Sequence, residues 1–301
     1  MANLEIEIAG IKMKNPVMVA SGTYGYGKEF SDYIDLERLG AIVTKSVSLR
    51  PRTGNPPPRL CETPSGMLNS IGLQNEGINV FLEKAIPFLS KFKVPLIVNI
   101  AAEEISEYAE LARILNGVSL VKGIEVNVSC PNVKKGMTCG IDPELTAEVT
   151  RAVKKAAGGL PVIVKLTPNV TDITLIAKAA EKAGADGISL INTVLGMAID
   201  VKTRKPRLAM TMGGLSGPAI RPIALRMVYQ VIQAVKIPVI GIGGIVTADD
   251  ALEFLLAGAK AVQIGTGNFT DAEAPIKAIE GIKDYLERNR FTNVSDLRLA
   301  N

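Results

Sequence analysis

Eight short apolar runs punctuate the chain, at residues 16–21, 41–46, 95–100, 123–129, 161–166, 187–192, 238–243 and 261–266. Each is followed by a stretch whose apolar positions recur with helical period, near 31–39, 79–92, 104–116, 142–157, 171–183, 219–235, 248–257 and 273–288. Runs such as PLIVNI, PVIVKL and PVIGIG suit strands covered by helices on one face and packed inward on the other. Their alternation with helical stretches marks parallel βα units. Thr171 and Thr247, each with Asp close behind, predict helix N-caps, and Gly184 and Gly258 predict helix stops. Eight such units with no linker predict a single domain over residues 1–301, an α/β chain folded as one (β/α)8 TIM barrel. A doubly wound sheet would have fewer strands and a clear dinucleotide fingerprint. LEIEIAGIKMKN alternates around Gly10, which predicts a small N-terminal β-hairpin closing the bottom of the barrel.

Two connections are too long to be plain turns, 47–78 after the second strand and 193–218 after the sixth. They are expected as structureless lids or binding loops at the C-terminal face.

Composition narrows the function classes. Aromatics make up 4% of the chain and Trp is absent, so a base-stacking nucleic-acid surface is not expected. The net charge of +4 comes without a long basic run, which predicts no polyanion partner and suits a small anionic substrate. Three irregularly spaced cysteines, Cys61, Cys130 and Cys139, argue against a disulfide framework and for a reducing compartment. With no histidine and no CxxC, neither a zinc site nor an iron–sulfur cluster is expected on this chain, and histidine-based hydrolase schemes are excluded. The acidic N-terminus and the lack of a membrane-length apolar run lead to an expectation of a soluble cytoplasmic protein.

Chemistry gathers where the strands end. In order these places hold Ser21-Gly22, Lys45-Ser46, Asn99, Asn127 to Cys130, Lys165, Asn192-Thr193, Gly243-Gly244 and Gly265-Thr266. In such barrels that edge is the active face. A rim built only for solubility would accept Glu, Arg and Gln, whereas Asn, Ser, Thr, Gly and Lys dominate here. GIGG at 241–244 and GTG at 265–267 offer unobstructed backbone N–H groups in the seventh and eighth units, the recurrent phosphate site of these barrels. A partly buried Lys45 or Lys165 calls for an anionic partner, and Asn69, Asn127, Asn132 and Asn192 suit a planar ligand with alternating C=O and N–H edges. Asn132 equally suits a turn, and Cys130 read alone suits a small buried core residue.

The stretches NPVMVASGTYGYG, TKSVSLRPRTGNPPPR, MLNSIGLQNEG, VNVSCPN, VKLTPNVTD, GISLINT, GGLSGPAIRP, GIGGI and QIGTGNF together cover nearly the whole chain. In them the sequence resembles the cytosolic class of dihydroorotate dehydrogenases, and more closely its subgroup that works with an iron–sulfur flavoprotein. The resemblance implies an FMN-containing barrel. FMN contacts are implied for Ser21, Lys45, Ser46, Asn99, Asn127 and Lys165, and for Ile191, Gly217, Gly243, Gly244, Gly265 and Thr266. Dihydroorotate contacts are implied for Lys45, the segment Asn69, Ser70, Ile71, Gly72 and Leu73, and for Asn127, Asn132, Asn192 and Thr193. Cys130 is implied as catalytic base, beneath a mobile lid over residues 131–141 with Gly136 and Gly140 supplying flexibility. Cys61 and Cys139 match no family role. A partner subunit carrying FAD and a 2Fe–2S cluster is implied, with NAD+ reduced there, in a heterotetramer of two catalytic and two electron-transfer chains. The alternative within the class is a homodimer passing electrons to fumarate. A quinone-linked membrane form is disfavoured by Cys130, where that class uses serine. Beyond the class stand a flavin barrel acting on tRNA, for which no basic docking surface is visible, a Schiff-base barrel using Lys165, and a non-catalytic binding module.

Overall fold

The computed structural model describes residues 2–129, 131–132 and 137–300. Eight parallel strands close a barrel: β1 (Val17–Val19), β2 (Ala41–Val43), β3 (Leu96–Ile100), β4 (Val121–Asn127), β5 (Val162–Leu166), β6 (Gly187–Leu190), β7 (Val239–Ile242) and β8 (Ala261–Ile264). Each pairs with its sequence neighbours and β8 pairs with β1, as the apolar runs predict. Residues of the strands and helices form one continuous buried cluster between the barrel wall and the helical layer. The antiparallel hairpin of Ile6–Ile8 and Ile11–Met13 sets Ile8, Ile11 and Met13 against Met18, Ala41, Val43, Ile97, Ile163 and Ile240. That apolar plug fills one end of the barrel and leaves the other for polar groups.

Helices Ile105–Asn116, Pro143–Ala156, Ile173–Lys182, Arg221–Ala234, Ala248–Leu256 and Ala274–Arg288 follow β3 to β8. A helical stretch over 77–89, with a π turn at Phe81–Ala85, serves β2. Thr247 caps as expected, in a reciprocal box with Asp250. Gly184 and Gly258 end their helices at φ of +98° and +106°.

Three expectations are corrected. The helix near 31–39 is only a 3-10 turn at Leu36–Arg38, begun by Asp35 accepting from the Glu37 N–H. Gly25 and Gly27, at φ of +54° and +86°, turn the preceding chain, whose Tyr24 and Phe30 rings stack at 4.1 Å as a compact cover. At the fifth helix Asp172 rather than Thr171 is the cap, its carboxylate accepting from Thr174 N–H at 2.9 Å. Finally, the two long connections are not structureless. Leu60–Thr63, Gly66–Asn69, Met212–Ser216 and Val194–Met197 pair as one antiparallel sheet, with Leu68 opposite Leu215. Each connection alone supplies one hairpin of this sheet, and only the closed barrel brings the two hairpins edge to edge.

Candidate active site

A cavity of about 760 Å³ opens at the C-terminal ends of the strands, beside that sheet. The volume lies within the roughly 300–1,000 Å³ usual for sites that hold small ligands. Its lining brings together Ser21, Lys45, Ser46, Asn127, Lys165 and Ile191 from the strand ends. The same cavity meets Asn192 and Thr193, the whole segment from Asn69 to Leu73, and Gly217, Gly243, Gly244, Gly265 and Thr266. Asn99 is placed differently. It is fully buried one layer beneath, where it accepts from Ser46 Oγ at 2.5 Å and donates to Glu125 Oε1 at 2.7 Å. Cys130 and Gly136 lie outside the described residues, as do residues 133–135 of the expected lid and the side chain of Asn132. Gly140 is described, and it is packed rather than hinged. Its N–H donates to Val128 O at 2.7 Å, and a Cβ there would meet Val128 O and Thr167 Cγ2 at 3.1 Å.

Backbone anchoring aims the polar groups. Lys45 N–H donates to Gly25 O at 2.8 Å, and Asn192 N–H to Leu166 O at 2.8 Å. Tyr108 donates its hydroxyl to Asn127 O at 2.7 Å, holding the end of β4 from the helix side. Asn192 Nδ2 donates to Ser129 Oγ at 3.0 Å and to Asn127 Oδ1 at 3.3 Å. Burial lowers the pKa of Lys45 below the ordinary lysine value, opposed by Glu29 and assisted by the positive charge of Arg59. A cationic ammonium there is costly without a ligand and gains from an anionic one. Arg59, also in the lining, is held by Gln74 Oε1 at 2.5 Å.

On the opposite side the backbone is bare. Gly243 and Gly244 have φ of +132° and +73°, and a Cβ on either would strike Ala224 Cβ at 2.7 Å or Arg221 Cβ at 2.6 Å. A Cβ on Gly265 would stand among cavity-lining Ala20 and Thr23, at 3.6 and 3.9 Å. Thr266 donates to Ser216 Oγ at 2.7 Å, tying this cradle to the mouth sheet. In the segment 69–73, Asn55 Nδ2 donates to Ser70 O at 2.9 Å, while Ser70 Oγ is buried without a hydrogen-bond partner. An orphaned hydroxyl in a cavity wall is a place for a ligand to bond.

One central residue escapes the strand-end reading. Glu125, on β4 two residues before Asn127 and so on the same face, is 0% exposed. It accepts from Asn99, Ser189 and Gln263 at 2.7, 2.8 and 2.8 Å, and its Oε1 lies 3.7 Å from Lys165 Nζ. The signal was a lone carboxylate inside the apolar run GIEVNV.

The arrangement can hold an elongated anionic ligand by its phosphate at the glycine cradle, with a planar polar head between Lys165 and the asparagines. Lys45 and residues 69–73 leave space for a second, smaller anion. These features fit FMN: an unobstructed amide cradle, a buried cation and an orphaned hydroxyl in one cavity. Among the described residues no helix is long and apolar enough to cross a membrane.

The family model described as "Dihydroorotate dehydrogenase" matches residues 3–286. The protein of Geotalea uraniireducens named dihydroorotate dehydrogenase B (NAD(+)), catalytic subunit, is 57% identical over 296 residues, covering 98% of this chain and 97% of its own. The proteins of the same name from Thermoanaerobacter pseudethanolicus and Alkaliphilus metalliredigens are 58% and 57% identical, each covering 98% of this chain and 97% and 98% of their own lengths.

Proposed function

The chain belongs to the dihydroorotate dehydrogenase family of oxidoreductases, and from that premise we propose that it is an FMN-containing catalytic subunit oxidising (S)-dihydroorotate to orotate in de novo UMP biosynthesis. The observation that carries this reading is the joining in one cavity of a glycine amide cradle on one side with Lys45, Asn127 and Asn192 on the other. The cradle of Gly243, Gly244, Gly265 and Thr266 would hold the FMN phosphate, with Gly217 beside it. Ser21, Ser46, Asn99, Asn127, Lys165 and Ile191 would support the ring system, Asn99 doing so through Ser46. FMN, when bound, supplies the acceptor for the hydride that leaves the substrate.

The chain's own residues do the rest. Lys45 neutralises the substrate carboxylate, and the backbone of residues 69–73 with Ser70 Oγ holds its polar edge. Asn127, Asn192 and Thr193, with Asn132, fix the ring so that the reacting carbons face one way, which is the positioning part of the rate. Cys130 takes the proton from the carbon beside the ring carbonyl. A free thiol titrates near pH ~8.5, and a positive local field lowers that toward neutrality. A positioned base of this kind contributes about 10²–10⁴-fold.

The relatives' name includes NAD(+) and "catalytic subunit", which supports NAD+ over fumarate as terminal acceptor for this chain too. The reading extends to a cytoplasmic heterotetramer of two such chains and two electron-transfer chains carrying FAD and a 2Fe–2S cluster. No dinucleotide fingerprint or CxxC cluster motif stands in this sequence to take that role.

The test is anaerobic titration of the purified protein, followed by visible absorption. Wild type should be yellow and be bleached by dihydroorotate, and NAD+ reduction should appear only with the partner subunit added. Cys130→Ser should keep the flavin spectrum and bleach at least about 100-fold more slowly. A colourless protein, or a flavin that dihydroorotate leaves oxidised, ends the proposal. Turnover with fumarate by this chain alone ends the partner assignment.

A further inference from the structure

Resting on the FMN reading above, we infer that Glu125 is a positioning residue that sets the charge of the cavity floor through Lys165. The carboxylate is 0% exposed and lies beneath the cavity rather than in its lining. Oε1 accepts from Asn99 Nδ2 at 2.7 Å, and Oε2 accepts from Ser189 Oγ and Gln263 Nε2, each at 2.8 Å. Lys165 Nζ stands 3.7 Å from Oε1, and its residue is 6% exposed. Groups from β3, β5, β6 and β8 thus converge on one acid carried by β4.

Barrel closure does not call for this. At the next level down the interior is filled by Met18, Ile97, Ile163 and Ile240, all apolar. Apolar filling is generally at least as stabilising as a buried ion pair. An acid retained at the level touching the cavity, with three donors and a cation arranged around it, has its consequence in the cavity. Two of its partners connect it to that floor. Lys165 is in the lining, and Asn99 accepts from Ser46, which is also in the lining. Glu125 therefore holds Lys165 at one point of the floor and offsets part of its positive charge, so that the floor presents a damped cation. A bound flavin gains negative charge on reduction, so the acid beneath holds its potential down.

The experiment is the midpoint potential of the bound flavin in wild type, Glu125→Gln and Glu125→Asp, by dye equilibration. Gln263 Oε1 is buried without a partner, so its amide can turn to meet the new side chain in Glu125→Gln. We expect Glu125→Gln to shift the reduction equilibrium at least tenfold toward reduced flavin, about 30 mV for a two-electron couple. Glu125→Asp, which keeps the charge, should stay within tenfold of wild type. An unshifted or more negative potential in Glu125→Gln overturns the inference, as does a folded Glu125→Gln protein that has lost FMN, since the phosphate cradle is untouched. If Glu125→Gln does not fold, the double variant Glu125→Gln/Lys165→Met should restore folding, because the uncompensated cation is gone. Failure of the double variant overturns the inference. Wild type without flavin overturns it together with the FMN reading, whereas a flavin-bearing wild type and an unshifted variant overturn it alone.

Discussion

Asn192 donates its side-chain amide to Asn127 Oδ1 at 3.3 Å, joining the end of β6 to the end of β4 across the cavity. The Asn127 oxygen also accepts from the Ser129 N–H at 3.1 Å, and Asn192 Oδ1 accepts from the Thr193 N–H at 2.8 Å. Both oxygens are thereby engaged by the protein. Asn127 is left presenting its Nδ2 to the cavity as a donor, which suits the carbonyl edges of a dihydropyrimidine ring. Asn127→Ala and Asn192→Ala should each lower kcat/KM for dihydroorotate about tenfold or more, the equivalent of a lost hydrogen bond of ~1–3 kcal/mol. Because each residue orients the other, the double variant should fall short of the product of the two, by a coupling of ~0.5–3 kcal/mol. A double-mutant cycle on orotate affinity, read by flavin perturbation, checks this. Strictly multiplicative losses would show that the link has no part in binding.

Two glycines of the cradle should separate folding from cofactor binding. Gly243 combines φ of +132° with a built Cβ only 2.7 Å from Ala224 Cβ, so Gly243→Ala is strained with or without ligand. It should lower stability by ~1–3 kcal/mol. Gly265 has no such φ, and its Cβ would sit in ordinary contact at 3.6 Å from Ala20. Gly265→Ala should leave unfolding within ~0.5 kcal/mol of wild type while weakening FMN binding at least tenfold, since the methyl enters the lining. Urea unfolding of the flavin-free proteins with FMN titration distinguishes the two. Wild-type FMN affinity in Gly265→Ala would remove that position from the cradle.

How far the sequence carries the fold is visible in its failures. The barrel follows from local facts: apolar runs at strand length, helical periods between them, and the stops at Gly184 and Gly258. The mouth sheet does not, because Leu68 and Leu215 are opposed only once β2 and β6 are both in the barrel. Near residue 31 the turns at Gly25 and Gly27 overrode an apolar pattern that served burial of Phe30 and Ile34 without a helix. At the site, residues at strand ends were legible because parallel barrels put those ends at one mouth. Glu125 was not, since it lies inside a strand and its four partners come from four others. Asn99 shows the converse: its place along the strand is legible, and the FMN contact is what the resemblance implies, but the pairing of its side chain with Ser46 and with the carboxylate beneath is not visible in sequence.

Tyr108 offers a test of support from outside the barrel. Its hydroxyl is buried and donates to the carbonyl of Asn127 at 2.7 Å. Tyr108→Phe leaves that carbonyl with a lost donor in a dry place, for which ~1–2 kcal/mol of stability is expected. Asn127 keeps its β5 neighbour, Lys165, in register, so orotate affinity should change less than threefold, about 0.6 kcal/mol. Denaturant midpoints and orotate titrations measure both. A large affinity loss at unchanged stability would reverse the assignment and make Tyr108 part of the binding machinery.

Lys45 should reveal itself through opposite responses of stability and affinity to pH. Its half-buried ammonium has a pKa lowered chiefly by burial, with Glu29 opposing and Arg59 adding to the effect. In the window between that lowered value and the ordinary lysine value, the unfolded chain binds the proton that the folded chain has released. Stability therefore rises with pH across the window, and the cost of folding with a charged Lys45 is fully present below it. Binding runs the other way, because the substrate carboxylate needs the ammonium and affinity falls as the proton leaves. Lys45→Met should flatten both profiles: its stability relative to wild type should be highest below the window and decline as pH rises through it, while its orotate affinity is weak throughout. Denaturant unfolding and orotate titration, each at a series of alkaline pH values, supply the comparison. If the wild-type advantage over Lys45→Met in stability shrank with rising pH, the burial argument would have the wrong sign, and if orotate affinity were equal in the two proteins below the window, Lys45 would not be the carboxylate's partner.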